Sequence, residues 1–222
     1  MTAVDLRLLL EAVRRRGWAE ADCSLDQIRN IASVASWEEV TLRPGDSAVS
    51  VLEPLDRTRA RTRSISAVHG LGAQPLHSDG AHLSVPPDLV ILEADDPSPT
   101  PTLLWTGLDD LLGAAGGVDA LRDGVFLVRN GHASFYTSAL THLGFRYDPV
   151  CMRACDARAR WLRDALRDAT SQVTTTHAWR IARKILVIDN AKTLHARAAV
   201  TSSDRRRKLR RIAFRTGDVR SW

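Results

Sequence analysis

The chain has 222 residues, 44% hydrophobic and 26% charged, which fits a single folded domain with a sizeable core and does not fit a disordered segment. No run approaches the ~20 apolar residues of a membrane span; Asp5, Arg7 and Glu11 interrupt the apolar N-terminus where an export signal would be continuous; and three cysteines without a C-x-x-C pair give neither a disulfide framework nor a zinc ribbon, pointing to a reduced cytoplasmic setting. The net charge of +5 is local, because Arg205–Arg211 holds six basic residues and no acid, and with aromatics at 5% the chain lacks the broad basic face and interleaved stacking residues of a nucleic-acid binder.

In chain order, the first part, to about residue 36, reads as helical. Leu6, Leu9, Leu10 and Val13 recur at helical spacing, and Gly17 follows a basic last turn as a stop. Ser24 with Gln27 forms a capping-box pattern that opens a second helix running to about Ala35. The period then changes. Ala48–Leu52, Leu89–Glu93, Leu103–Thr106, Val125–Arg129 and Ile185–Asp189 are short strand-like runs bounded by Pro, Gly and Asp. Between them, Leu108–Ala115 and Asp156–Ala169 read as helices. Arg57, Arg59, Arg61 and Arg63 would share one face of a strand; the turn signals Pro54 and Asp56 before them favour a solvated or lid loop. With no long linker and no repeat, residues 1–222 read as one β-rich domain.

His77-Ser78-Asp79, joined much later by His195, supplies the donor set with most chemical content. Two imidazoles and one carboxylate hold Fe(II) on one face and leave the opposite positions open. In extended chain, His77 and Asp79 point the same way, and Gly80 lets the chain turn off afterwards. His195 follows the strand-like Ile185–Asp189 and the loop Asn190–Leu194, so a third ligand would come from a different strand. The tripeptide alone is common; the basic cluster behind His195 adds a clamp for an anionic co-substrate.

The motifs PLHSDGAH, PPDLVIL, TLLWTG, VIDNAKTLHARAAV and RKLRRIAF, in that order over about residues 64–216, resemble the taurine dioxygenase and clavaminate synthase-like Fe(II)/2-oxoglutarate-dependent oxygenases. The resemblance implies a double-stranded β-helix, a jelly-roll or cupin-like barrel that is mainly β with flanking helices. It makes His77, Asp79 and His195 the iron ligands, with Fe(II), 2-oxoglutarate and O2 as cofactor and co-substrates, and succinate and CO2 as products. Arg207, twelve residues after His195, matches the arginine that grips the distal carboxylate of 2-oxoglutarate, where a planar fork makes two charge-assisted bonds. Thr102 matches the hydroxyl donating to the same carboxylate. Arg211 matches a substrate-contacting arginine, and His82 is a further candidate to face substrate.

Some features depart from the pattern or leave it open. Pro99-Thr100-Pro101 stands where the family carries Gly-Gly, so Thr100 competes with Thr102, and Arg206 with Arg210 competes with Arg207 and Arg211 as the inward pair. Asp79 retains the carboxylate that halide-binding variants lose, which favours hydroxylation or another oxidative outcome. Asn190 is expected to orient the turn before His195. His69 is expected to pack or to lie exposed; His132, His142 and His177 are expected to be structural or exposed, and Trp105 and Trp179 to be core. The substrate is expected to be a small polar molecule. Its basic surroundings hint at an anionic group, and an amino acid, a natural-product intermediate and a carrier-tethered acyl group all stay open. Two competing readings are a non-oxidative metalloenzyme on the same ligands and a basic nucleic-acid-binding domain.

Overall fold

A computed structural model describes residues 5–129, 131, 133–169 and 175–217. Its first helix, Leu6–Arg16, begins where the Asp5 carboxylate accepts from the backbone of Arg7 and Leu8, and ends at Gly17, whose N–H returns to Val13 O at 2.7 Å. Gly17 has φ +81°, and a Cβ there would sit 2.3 Å from Thr193 Oγ1, so only glycine lets the chain turn here. The second helix, Leu25–Val34, carries the capping box of Ser24 and Gln27 and buries Leu25, Ile28 and Ala32. Between the helices the chain forms a strand, Trp18–Ala21, which corrects the all-helical reading of residues 1–36. Four residues are too few to declare a period. The strand exists because it pairs with the apolar Ile185–Asp189, with Trp18 opposite Ile188. Glu38–Glu39 is a second short strand just past that segment.

The larger sheet is antiparallel and runs in the order Trp18–Ala21, Ile185–Asp189, Leu89–Ala94, Leu209–Arg215, Glu38–Glu39, with Ser50–Leu52 also paired to Leu209–Arg215. Leu89–Ala94 is buried on both faces, which is why it reads as a continuous apolar run rather than an alternation. Glu93 within it is fully buried and is held by the Arg210 guanidinium, with its other oxygen accepting from Leu25 N. One face of this sheet, through Leu89, Ile91, Val187, Ile212 and Phe214, packs against the two N-terminal helices. At ~1.5–3 kcal/mol for each large apolar side chain buried, that layer anchors the N-terminal segment to the sheet.

The smaller sheet joins Thr175–Trp179, Ser98–Trp105 and Leu194–Arg197. It faces the large one across a core of Val90, Leu92, Leu104, Trp179, Leu186, Ile188, Leu209 and Ala213. Two antiparallel sheets closed over a shared core make a jelly-roll barrel, mainly β with flanking helices. Outside the smaller sheet lies a second layer, the strands Phe126–Arg129, Ser134–Thr137 and Met152–Ala154 with the helices Leu108–Gly113, Gly117–Arg122 and Ala157–Ala169. The arginine run 57–63 is in loop and turn rather than strand.

Candidate metal centre and co-substrate pocket

His77 is bonded to His195 by both backbone hydrogen bonds, His77 N to His195 O at 3.0 Å and His195 N to His77 O at 2.9 Å, which adds one residue to the edge of the smaller sheet. The chain then leaves the sheet through Ser78, whose N and Oγ bond to the backbone of Tyr147, on the far side from the candidate ligands. Asp79 is fixed from behind: its N–H donates to Asn190 Oδ1 at 2.8 Å, and Asn190 Nδ2 donates to Asp79 O and Pro87 O, both at 2.9 Å. Asn190 therefore ties the turn before His195 to the HxD segment. Gly80 follows with φ +69°, where a Cβ would lie 2.7 Å from Pro87 Cδ, so the turn needs glycine.

His77, Asp79 and His195 are all buried and offer one donor atom each within 4.8 Å of one another. His77 Nδ1 is 3.0 Å from Pro75 O, which makes Nδ1 the protonated nitrogen and leaves Nε2 as a lone pair. His195 Nε2 lies 3.8 Å from Asp79 Oδ2. The Asp79 carboxylate is divided: Oδ1 accepts from Arg211 Nη1 at 2.8 Å, while Oδ2 is buried with no partner. Burial pushes the Asp79 carboxyl up, but the charges of Arg211, His195 and His77 and the Arg211 hydrogen bond outweigh it and hold it at about 2. Burial and the adjacent His77 push His195 down to about 3, with Asp79 opposing. At neutral pH Asp79 is thus anionic and the His195 imidazole neutral, the states in which a carboxylate and an imidazole bind metal.

These residues line a cavity of about 1360 Å³, whose wall also includes Thr102, Arg207, Arg211, His82 and Leu209. Arg207 is buried, and its Nε and Nη2 have no hydrogen-bond partner. Burial lowers its pKa to about 10, with Asp204 opposing, so the guanidinium is still charged at neutral pH while lacking a carboxylate to match its fork. Thr102 Oγ1 accepts from Trp179 Nε1 at 3.1 Å, so its own proton is free to donate into the cavity. Thr100 is buried but is not among the residues lining this cavity. Its N–H and Ser98 Oγ both bond to Asp204 Oδ2, and Asp204 O receives Arg207 N at 3.0 Å. Asp204, unnoticed in the sequence, therefore docks the turn carrying Arg207 onto the strand carrying Thr102.

The basic cluster divides by direction. Arg207 and Arg211 face the cavity; Arg205 and Arg206 are exposed, Lys208 pairs with Glu53, and Arg210 pairs outward with Glu93. Among the described residues, the cluster 205–211 is thus split between the cavity, solvent and ion pairs. His82 lies on the cavity wall, but its Nε2 is engaged 2.8 Å from Leu42 O. Arg197 is buried and donates to Gly70 O and Gly72 O, bracing the loop that leads to His77. His177 is buried, 2.7 Å from Glu20 Oε1 and edge-on to Trp179, and His142 is exposed. His132 lies outside the described residues.

No protein-family model matches the chain, and no curated protein matches it. Solved structures do. An asparagine oxygenase in complex with Fe(II), 2S,3S-3-hydroxyasparagine and succinate is 15% identical over 94% of this chain and 79% of that one, with a TM-score of 0.72. The non-heme iron oxygenase OrfP in complex with Fe, succinate and (3S)-hydroxy-L-Arg is 16% identical over 96% and 80%, with a TM-score of 0.68. PvcB, an Fe, alpha-ketoglutarate dependent oxygenase from an isonitrile synthetic pathway, is 18% identical over 95% and 80%, with a TM-score of 0.64. At such identities the likeness establishes a shared fold over nearly the whole chain.

Proposed function

We propose that this chain is an Fe(II)/2-oxoglutarate-dependent oxygenase that oxidises a C–H bond of a small polar molecule and releases succinate and CO2. The observation that carries the proposal is the buried Arg207 fork, unpartnered at Nε and Nη2, in the same cavity as the His77, Asp79 and His195 donors. An uncompensated buried guanidinium is costly and calls for an anion. The fit to the cofactor is good: two lone-pair nitrogens and one free carboxylate oxygen converge, and Asp79 Oδ1 is occupied by Arg211, which favours ligation through Oδ2 alone.

In this reading His77, Asp79 and His195 hold Fe(II), and Arg207 with the Thr102 hydroxyl holds the distal carboxylate of 2-oxoglutarate. The bound iron supplies oxygen activation and hydrogen abstraction when loaded. The protein's own contribution is position. Asn190 and the His77–His195 backbone pair fix the ligands, Asp204 and Trp179 fix the co-substrate clamp, and Arg211 together with the His82 side of the cavity faces the substrate position. The cavity has room for co-substrate and a second small molecule together. The three solved relatives described above are iron oxygenases, and two hold a hydroxylated amino acid with succinate, which supports this chemistry and an amino-acid-sized substrate. The basic residues around the site support the further reading that this substrate is anionic, free or carrier-tethered. Setting and domain follow the same reading: a cytoplasmic single-domain enzyme of the taurine dioxygenase-like kind. Aerobic incubation of iron-loaded protein with 2-oxoglutarate should release succinate, slowly alone and faster with a true substrate. Folded, iron-loaded protein that releases none would contradict the proposal.

A further inference from the structure

The cavity wall carries a second cation that the proposed chemistry leaves unused. Arg43 is half-buried on the wall, and its guanidinium makes no hydrogen bond or ion pair among the described residues. Two acids lie close enough for their charges to act on it, and both are committed elsewhere: Asp46 accepts from Arg61 Nη1 at 2.6 Å, and Asp79 from Arg211 Nη1 at 2.8 Å. Arg211 and Arg61 themselves also act on it electrostatically. Burial and these two guanidinium groups push its pKa down. Of the other cavity arginines, Arg197 is spent on carbonyls and Arg63 and Arg129 are exposed to solvent.

Arg43 is also held in place rather than tethered loosely. It opens the turn Arg43-Pro44-Gly45-Asp46, closed by Asp46 N to Arg43 O at 3.1 Å, with Gly45 at φ +80° as a type II turn requires at its third position. The preceding residue, Leu42, is pinned twice beside the metal ligands. Its carbonyl meets His82 Nε2 at 2.8 Å, and its side chain packs on Gly80, where a Cβ would approach Leu42 Cδ2 to 3.2 Å. His82 thus acts on this wall by seating the Arg43 turn against the His77–Gly80 segment.

We infer that Arg43 is a substrate-specificity residue: it receives an oxyanion of the substrate, a carboxylate or sulfonate, at the cavity wall next to Asp79 and Arg211. The inference rests on the oxygenase reading for calling the ligand a substrate, and on the geometry of Arg43 alone for calling it an anion. One uncommitted guanidinium matches a single negative group, and the Arg211–Asp79 pair beside it can stay intact when that group binds.

The test uses inorganic sulfate as probe. Protein loaded anaerobically with Fe(II) and 2-oxoglutarate, so that Arg207 is occupied, is titrated calorimetrically with sodium sulfate at constant ionic strength. Wild type should bind one sulfate per chain. Arg43→Ala should weaken it about ten- to hundredfold, the worth of one charge-assisted contact, with Arg43→Lys intermediate and the exposed Arg205→Ala unchanged. The iron–2-oxoglutarate absorption band, retained in Arg43→Ala, shows that the variant is folded and loaded. Equal affinity in wild type and Arg43→Ala, or no sulfate bound by wild type, overturns the inference. Absence of the band from wild type would strike the oxygenase reading instead, and the same titration on metal-free Arg207→Ala protein would still decide the anion site. Free L-arginine and L-asparagine should displace sulfate where their C-terminal amides do not; displacement by none of the four would overturn the assignment of the oxyanion to the substrate.

Discussion

Replacing Arg207 with alanine separates a co-substrate clamp from a structural arginine. Its Nε and Nη2 are buried and unpartnered, so the side chain contributes no internal hydrogen bond through them and bears the cost of desolvation. A bound carboxylate would accept from both, each charge-assisted bond being worth about 1.5–3 kcal/mol and the two together less than their sum. A loss of about 3 kcal/mol follows, roughly a 150-fold rise in the Kd for 2-oxoglutarate. Arg205, exposed, should change it by less than about threefold. Arg207→Lys keeps the charge but loses the fork and should fall between. Thermal stability of the metal-free Arg207→Ala protein should be unchanged or raised, because an uncompensated buried charge is removed. The assay is anaerobic titration of iron-loaded protein with 2-oxoglutarate, read by absorbance. Equal losses in Arg207→Ala and Arg205→Ala, or a larger loss in Arg206→Ala, would refute the reasoning.

Two further outcomes follow from the same packing. Arg210→Ala leaves fully buried Glu93 without its cation and should cost about 3–5 kcal/mol in chemical denaturation, whereas Arg206→Ala should cost under about 0.5 kcal/mol; similar midpoints would contradict the placement of Arg210 on the outer face of its strand. Native alkylation read by mass spectrometry should label exposed Cys155 first, since desolvation pushes the thiols of buried Cys23 and half-buried Cys151 up and leaves little thiolate at pH 8; labelling of Cys151 as fast as Cys155 would contradict that raised pKa.

The long periodic elements were legible in the sequence. Leu6–Arg16 and Leu25–Val34 announce themselves by amphipathic spacing, by Gly17 and by the Ser24–Gln27 box, and Leu89–Ala94 by an apolar run too short for a helix. Trp18–Ala21 was not, because its strand character comes from its partner Ile185–Asp189 rather than from its own four residues. The candidate ligands could be named from HxD and the distal histidine, yet which arginines turn inward depends on a register that many adjacent arginines leave open. Here Asp204 and Glu93 fix it from either end, one holding the turn before Arg207 and the other pulling Arg210 outward. Arg43 carried a signal in Arg-Pro-Gly-Asp, a turn motif, but nothing local says that the turn lies against the candidate metal centre thirty-odd residues further along.

The most direct measurement is the visible absorption of the protein under anaerobic conditions on adding Fe(II) and then 2-oxoglutarate. A weak charge-transfer band should grow to one equivalent of each in wild type and be lost in His77→Ala and in Asp79→Ala, while circular dichroism shows both variants folded. A folded wild-type protein that binds Fe(II) but develops no band, or a band of equal strength in His77→Ala, would contradict the account.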